Sequence, residues 1–256
     1  MTQGRLALSS DLLIGLLSPI ALLALWEVAA RLGAIDVRFF PAPSAIAEKF
    51  LELSASGELL QHLAASLQRL SIGVIVGGVP ALFLGLAMGL SRPLRAAVDP
   101  LIAATYPIPK SAILPLLLLI FGLGEASKVA MVALGMFYPV LINTVAGVAN
   151  INRIYLDVGR NFGARGWQVF RTIALPGALP SILAGIKLGV GMGLILIVIA
   201  EMIGAKTGIG YMIWNAWQIL TVDTMYVGLL VVAVLGFVFS QALDVLERRL
   251  VPWLRT

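Results

Sequence analysis

The chain has 256 residues, of which 60% are hydrophobic and only 12% are charged, and its mean hydropathy is +0.99. Soluble domains carry about 25% charged residues, so this composition excludes an ordinary soluble domain and indicates an integral membrane protein. The absence of cysteine excludes disulfides and thiolate metal ligands. In a membrane protein the net charge of +5 is typical of basic cytoplasmic loops, and we expect no nucleic-acid partner.

The apolar residues form long unbroken runs, which favour membrane-spanning helices over the short alternating strands of a barrel. We therefore predict an all-α, polytopic membrane protein with about six transmembrane helices in a single transmembrane domain, residues 1–256. The first run lacks a small-residue cleavage site, so we expect it to be retained as a helix. The predicted spans are residues 12–30, 70–90, 100–121, 129–148, 183–203 and 226–246.

The connection between the first two spans is more polar than its neighbours. Ser44 precedes apolar residues at helical spacing, and we predict that its hydroxyl caps a short amphipathic helix near the membrane surface. His62 is the only histidine of the chain and has no companion ligands in its sequence neighbourhood. We expect it to be a surface residue.

Glycines four residues apart occur in two of the predicted spans. They are Gly73, Gly77, Gly85 and Gly89 in the second span, and Gly185, Gly189 and Gly193 on one face of the fifth. Small residues at this spacing let helix backbones approach closely, so the second span is predicted to pack tightly against a neighbouring helix.

The third predicted span is interrupted by Pro107, Pro109 and Pro115, and it contains Lys110. A broken helix at membrane depth is tolerated only where protein or a water-filled cavity surrounds it. A charge inside a span indicates a function. The alternative is that Lys110 lies near an interface and extends its ammonium group towards water.

A polar segment, residues 157–176, separates the fourth and fifth spans. Residues 152–162 and 166–172 both have helical character, and Gly163 between them permits a tight turn. Leu175-Pro176 is expected to end the second piece, because proline lacks the N–H that a continuing helix needs. The sequence predicts a helix–glycine–helix elbow, a short rigid rod suited to docking into a partner's groove.

The distribution of basic residues among the loops predicts the orientation of the chain. Most of them fall in the segments that share a side with the N-terminus, including Arg153, Arg160, Arg165 and Arg171 around the elbow. We therefore expect both termini and the elbow to lie in the cytoplasm.

The elbow resembles a motif of the permease subunits of ATP-binding-cassette (ABC) importers: EAA, three residues, G, nine residues, I, one residue, LP. Here the matching residues are Gly163, Ile173 and Leu175-Pro176, all at the motif spacing. The front of the motif departs from the family, with Asp157 in place of glutamate and Val158-Gly159 in place of two alanines.

Further segments are similar to the nitrate, sulfonate, taurine and bicarbonate branch of these permeases. They are Pro41-Ala42-Pro43-Ser44, residues 62–67, Pro107-Ile108-Pro109, residues 121–125, residues 175–180 and Ala200-Glu201. The resemblance implies a type I importer permease fold with a cytoplasmic coupling helix between spans four and five, within residues 150–180. It also implies a homodimer in the inner membrane, two cytoplasmic ATP-binding subunits and an external solute-binding protein.

The resemblance assigns contacts with the ATPase to eight residues of the elbow. They are Asp157, Arg160, Gly163, Ala164, Arg165, Ile173, Leu175 and Pro176. The chain has no GxxxxGK(S/T) phosphate loop, so we expect no catalytic residue, metal or cofactor on it, and ATP and Mg²⁺ to be bound by the partner subunit.

The polar residues of spans three to five are the candidates for a translocation path. They are Tyr106, Lys110, Ser111, Asn143 and Glu201. Lys110 favours a small anionic solute, such as a sulfonate or taurine, nitrate or bicarbonate. Glu201 disfavours an anionic solute unless its own charge is paired. The alternative for Glu201 is a structural role near the outer end of span five.

A second interpretation from a different class is a stand-alone secondary transporter or channel. It would use Lys110 and Glu201 as a pair of ionisable residues inside the membrane. Such transporters often contain inverted repeats, and none is evident in this sequence.

Overall fold

The computed structural model describes the backbone of residues 3–254; the side chains of residues 3–14, 16, 153, 156, 160 and 254 lie outside the described part. The described residues form helices joined by short connections, without a strand, and the predicted all-α class is confirmed. The helices are α1 (Gln3–Arg31), α2 (Pro43–Ala55), α3 (Glu58–Leu90), α4 (Arg92–Thr105), α5 (Leu114–Phe121), α6 (Glu125–Ala149), α7 (Arg153–Asn161), α8 (Trp167–Val169), α9 (Leu175–Gly204), α10 (Ile209–Gln218) and α11 (Val222–Leu250).

Within the described part of the chain, four helical stretches are long and apolar enough to cross a membrane: α3, α6, the continuous stretch Trp167–Gly204 and α11. A fifth is a bent pair, Arg92–Thr105 with Lys110–Phe121, whose two halves meet at 85°. These stretches contain the predicted spans 70–90 to 226–246 and extend beyond them, because their polar end turns are helical too. The predicted span 12–30 falls within α1 and lies partly outside the described side chains.

The prolines of the third predicted span coincide with the bend. Pro107 and Pro109 occupy the connection between α4 and a 3-10 turn, Lys110–Ile113, which leads into α5. Proline lacks the backbone N–H that a continuing helix needs, so two prolines in three residues end α4. Pro115 lies in the first turn of α5, where the missing N–H costs nothing.

The chain divides into two compact units, residues 1–60 with 212–230, and residues 61–211 with 231–256. In the first, the predicted cap at Ser44 is wrong: Pro43 begins α2, so Ala42 holds the cap position and Ser44 lies inside the helix. Ser44 instead donates from its N–H and its hydroxyl to the Glu27 carboxylate, at 2.9 and 2.7 Å. This contact joins α2 to α1.

In the second unit α6 packs against both α3 and α9 through glycines. A Cβ placed on Gly85 of α3 would lie 2.7 Å from the Thr144 Cβ, and one on Gly185 of α9 would lie 2.8 Å from the Asn143 Cβ. Either distance is too short for a real side chain, so these glycines permit the approach of the helices. The close packing predicted for the second span is confirmed.

Candidate coupling and translocation sites

The elbow between α6 and α9 consists of α7, two glycine turns, α8 and a π-helical turn, Phe170–Ala174. Gly163 and Gly166 have φ values of +76° and +48°, a region that side-chain-bearing residues rarely adopt. The expected helix end at Leu175-Pro176 is wrong, because the helix continues through this point into α9. Pro176 lies in the first turn of α9, where proline is tolerated.

Contacts between residues of the motif hold α7 against the segment that follows it in the elbow. The Ala164 N–H donates to the Gly159 carbonyl at 2.9 Å. A Cβ on Gly159 would lie 2.5 Å from the Ile173 Cδ1. The departure from alanine at Gly159 therefore has a physical reason: it makes room for Ile173, the isoleucine of the same motif.

The elbow also exposes large apolar side chains. Phe162, which precedes Gly163, is 88% exposed, and Trp167 is exposed while its ring stacks on Phe170 with centroids 4.9 Å apart. The exposed side chains of Phe162 and Trp167 form a candidate interaction surface of the elbow.

An apolar cavity of about 360 Å³ lies beside this surface. Its walls are Ile151, Tyr155, Val158, Gly159, Thr172, Ile173, Pro176, Gly177 and Trp253. Asp157 and Arg165 of the predicted coupling set are exposed, and the side chain of Arg160 lies outside the described residues.

Lys110 lies at the bend between α4 and α5. Its Nζ donates to the carbonyls of Thr105, Tyr106 and Ile108, each at 3.0 Å. It also sits 4.1 Å from the ring centroid of Tyr138. Since an ammonium group has three N–H donors, Lys110 uses all of them on backbone carbonyls at and just beyond the end of α4.

A second cavity, of about 450 Å³, lies along α6 and α9, and we call it the α6–α9 cavity. Its walls are Tyr106, Pro139, Ile142, Asn143, Lys187, Leu188, Gly191, Met192 and Ile195. It brings together two predicted path residues, Tyr106 and Asn143. Ser111 is exposed in the 3-10 turn before α5.

Lys187 was not among the predicted path residues, although it lines the α6–α9 cavity. Its Nζ lies 2.6 Å from Asp244 Oδ1 of α11. The only signal in the sequence was a lysine at the edge of the fifth apolar run.

Glu201 is fully enclosed and paired with Arg69, which is also buried. Arg69 Nη1 donates to Glu201 Oε1 at 2.8 Å, and its Nε and Nη2 donate to the two oxygens of Glu125 at 2.5 and 2.8 Å. Nη1 and Nη2 also donate to the carbonyl and hydroxyl oxygens of Thr207, at 2.6 and 3.1 Å. All five guanidinium N–H groups are thereby used. We call Arg69, Glu125 and Glu201 the Arg69 cluster.

The Arg69 cluster fixes the loop between α9 and α10. The Ser66 hydroxyl donates to Glu201 and accepts the Ile209 N–H at 2.8 Å, and the Gly210 N–H donates to Glu201 Oε2 at 3.0 Å. The expectation that His62 is a surface residue is wrong. It is buried, and its Nδ1 accepts the Gly208 N–H at 3.1 Å.

These pairings contradict the second interpretation, in which Lys110 and Glu201 form an ionisable pair. Glu201 is paired with Arg69, and Lys110 is bound to three backbone carbonyls. Arg69 and Glu125 are 132 and 76 residues from Glu201 in sequence, so no local pattern indicated the cluster.

The apolar spans, the bent helix pair and the elbow define a multi-pass membrane transport protein. Residues 81–252 match the family model described as the binding-protein-dependent transport system inner membrane component. The chain belongs to this family, and it is a permease component of binding-protein-dependent ABC transport.

The chain is similar to proteins named as taurine and aliphatic sulfonates transport permeases. It is 36% identical to the taurine transport system permease protein of Escherichia coli (strain K12), over 97% of this chain and 92% of that protein. It is 39% identical to the protein named as an aliphatic sulfonates transport permease in the same organism, over 92% of this chain and 89% of that protein. The corresponding protein of Bacillus subtilis (strain 168) is 36% identical, over 93% and 87%.

Among solved structures the chain resembles a chain of the MetNI methionine ABC transporter in its inward-facing conformations. The TM-score is 0.63 at 18% identity, over 75% of this chain and 95% of that chain. At this identity the likeness concerns the fold, and it agrees with the type I importer fold expected from the motif.

Proposed function

We propose that the chain carries a small anionic solute, of the sulfonate or taurine class, across the inner membrane together with a second copy of itself. One ATP-binding subunit docks at the elbow of each copy, and the two subunits supply the energy. An external binding protein delivers the solute. ATP and Mg²⁺ are bound by the partner subunits. The observation that carries the proposal is the elbow, with its positive-φ glycines and its exposed Phe162 and Trp167.

The exposed apolar side of the elbow supports docking of the ATP-binding subunit. In the predicted orientation the elbow lies in the cytoplasm, where water surrounds Phe162 and Trp167 unless a protein covers them. The contact between Gly159 and Ile173 makes the elbow a compact body. Movement of the docked ATP-binding subunit therefore moves the elbow as a rigid body, and α9 moves with it.

The α6–α9 cavity supports a translocation path. Its size is in the range of small-molecule sites. Leu188, Met192 and Ile195 form an exposed stripe of α9 along its rim. A second copy that covers this stripe would close the cavity from the side, which is the arrangement that a homodimer implies. The similarity to taurine and aliphatic sulfonate permeases supports a solute with a sulfonate group, which is negatively charged at neutral pH.

The proposal is tested by the variant Gly163→Val in the complex purified with its ATP-binding subunits and reconstituted in liposomes. Valine is strained at a φ of +76°, so the elbow must change shape. We expect ATP-dependent taurine uptake to fall at least tenfold while the complex still assembles. The matched control is Gly33→Val, since Gly33 has a φ of +69° and open space around it but lies outside the elbow. Equal uptake by both variants would contradict the coupling role.

A further inference from the structure

Among the described residues that line the α6–α9 cavity, Lys187 is the one with a charged side chain. The rest of the lining is apolar, apart from the Tyr106 hydroxyl and the Asn143 amide. Charges inside a membrane span are costly, and they mark ion or substrate pathways when they face a cavity. Lys187 is part-exposed, with 40% of its side chain accessible, so it reaches the open space of the cavity.

The hydrogen bonds of Lys187 leave it able to bind another acceptor. Among the described residues it donates to Asp244 Oδ1 alone, at 2.6 Å, although an ammonium group has three donors. Lys110 differs in this respect, because its three donors are all bound to backbone carbonyls. Of these two lysines, Lys187 is the one with donors available for a solute.

Asp244 provides a counter-charge that can be exchanged. Its side chain is 31% accessible, so the pair with Lys187 is partly open rather than enclosed like the pair of Arg69 and Glu201. A carboxylate and a sulfonate are both oxygen anions that accept hydrogen bonds from an ammonium group. An anionic solute in the cavity can therefore take over the contacts of Lys187.

We propose that Lys187 binds the anionic head group of the solute during its passage, and that Asp244 holds the lysine between passages. This assignment rests on the proposed function, because it requires that the solute be an anion and that the α6–α9 cavity belong to its path. It makes Lys187 the residue that selects anions within the permease.

The test measures uptake of radiolabelled taurine and ethanesulfonate into liposomes that contain the complex, at saturating loaded binding protein. Lys187→Met should lower both rates about tenfold or more, the effect of losing one charge-assisted hydrogen bond, while basal ATP hydrolysis is unchanged. Lys187→Arg should keep most of the uptake. Lys49→Met is the matched control, because Lys49 also pairs with a carboxylate, Glu52, at 2.5 Å but lies in α2.

The double variant Lys187→Met/Asp244→Asn separates solute binding from a structural role of the pair. Loss of Lys187 alone leaves Asp244 unpaired and should lower Tm, and the second substitution should restore Tm. Uptake should stay low in the double variant. If uptake recovered together with Tm, the pair would be structural and the role of Lys187 would be overturned.

Two further outcomes distinguish the levels of the proposal. If wild-type protein and Lys187→Met transported both sulfonates equally, Lys187 would not bind the solute, and the proposed function would stand. If the wild-type complex transported neither sulfonate, the proposed sulfonate class would be wrong, and the role of Lys187 in binding a sulfonate would fall with it.

Discussion

Arg69 and Glu201 lie 132 residues apart in the sequence and form a buried ion pair, with Arg69 Nη1 donating to Glu201 Oε1 at 2.8 Å. Glu201 is fully enclosed, and Arg69 binds Glu125 and Thr207 as well. The Arg69 cluster thereby joins α3, α6 and α9 to the loop that follows α9. We interpret it as a clamp that makes these helices move as one body.

Arg69→Met should destabilise the protein strongly. Methionine fills much of the space but leaves the Glu201 carboxylate buried without its cation, and breaking such a pair costs about 3–5 kcal/mol. The expected fall in the free energy of unfolding is measured by denaturation in mixed micelles. Adding Glu201→Gln should recover part of it, because the buried group is then neutral.

Arg38→Met is the control for this substitution. Arg38 pairs with Asp36 at 2.8 Å, but its side chain is 81% accessible, and exposed pairs contribute about 0–1 kcal/mol. Equal losses of stability in Arg38→Met and Arg69→Met would show that enclosure of the Arg69 cluster has no energetic consequence.

Gly208→Ala should also destabilise the loop after α9. Gly208 has a φ of +119°, and a Cβ there would meet the Glu201 carboxylate. We expect a loss of at least about 1–2 kcal/mol, from backbone strain alone, and a further loss from displacement of the carboxylate. Gly124→Ala is the matched control for Gly208→Ala, since a Cβ at Gly124 meets nothing within 4 Å and the φ of Gly124 is −72°. A Tm for Gly208→Ala as high as that of Gly124→Ala would refute the clamp geometry.

Gly159→Ala should disturb the elbow, and Ile173→Val should repair it. The added Cβ would lie 2.5 Å from the Ile173 Cδ1, the atom that valine lacks. Ile173→Val alone removes one methyl group and typically costs about 0.5–1.5 kcal/mol. We expect the double variant to be closer to wild type than Gly159→Ala in solute transported per ATP hydrolysed. Strictly additive defects would mean that the two residues do not contact each other.

Lys110→Met stays a prediction for the translocation path. It should lower sulfonate uptake while leaving basal ATP hydrolysis intact, either by removing a charge that the solute meets or by releasing the carbonyls at the end of α4. Unchanged uptake would remove Lys110 from the path. A comparison with Lys187→Met in the same preparation shows which lysine has the larger effect on anion transport.

Features that depend on neighbouring residues were predictable from the sequence. Long apolar runs predicted the helices, Pro107 and Pro109 predicted the bend, and Gly163 between two helical stretches predicted the turn of the elbow. Each of these depends on backbone geometry or on composition within one segment, which is what sequence patterns report.

Features that depend on distant residues were not predictable. No sequence pattern indicates the role of Arg69, because its partners lie in two other helices and a loop. His62 was expected at the surface because no nearby residue could bind it, yet Gly208 does so from 146 residues away. The prediction that Ser44 caps α2 was wrong for a local reason: Pro43 begins α2, so the cap position falls on Ala42.

Cross-linking at Phe162 tests the central claim, that an ATP-binding subunit docks at the elbow. The chain has no cysteine, so Phe162→Cys places a single thiol on an 88% exposed position of the elbow. A short bis-maleimide should join it to an introduced thiol on the co-purified subunit that carries a GxxxxGK(S/T) loop, and the product is identified by mass spectrometry. Leu119→Cys, on an 83% exposed position of α5, should give no such product. Equal cross-linking from both positions, or none from Phe162→Cys in a complex that transports, would contradict the account.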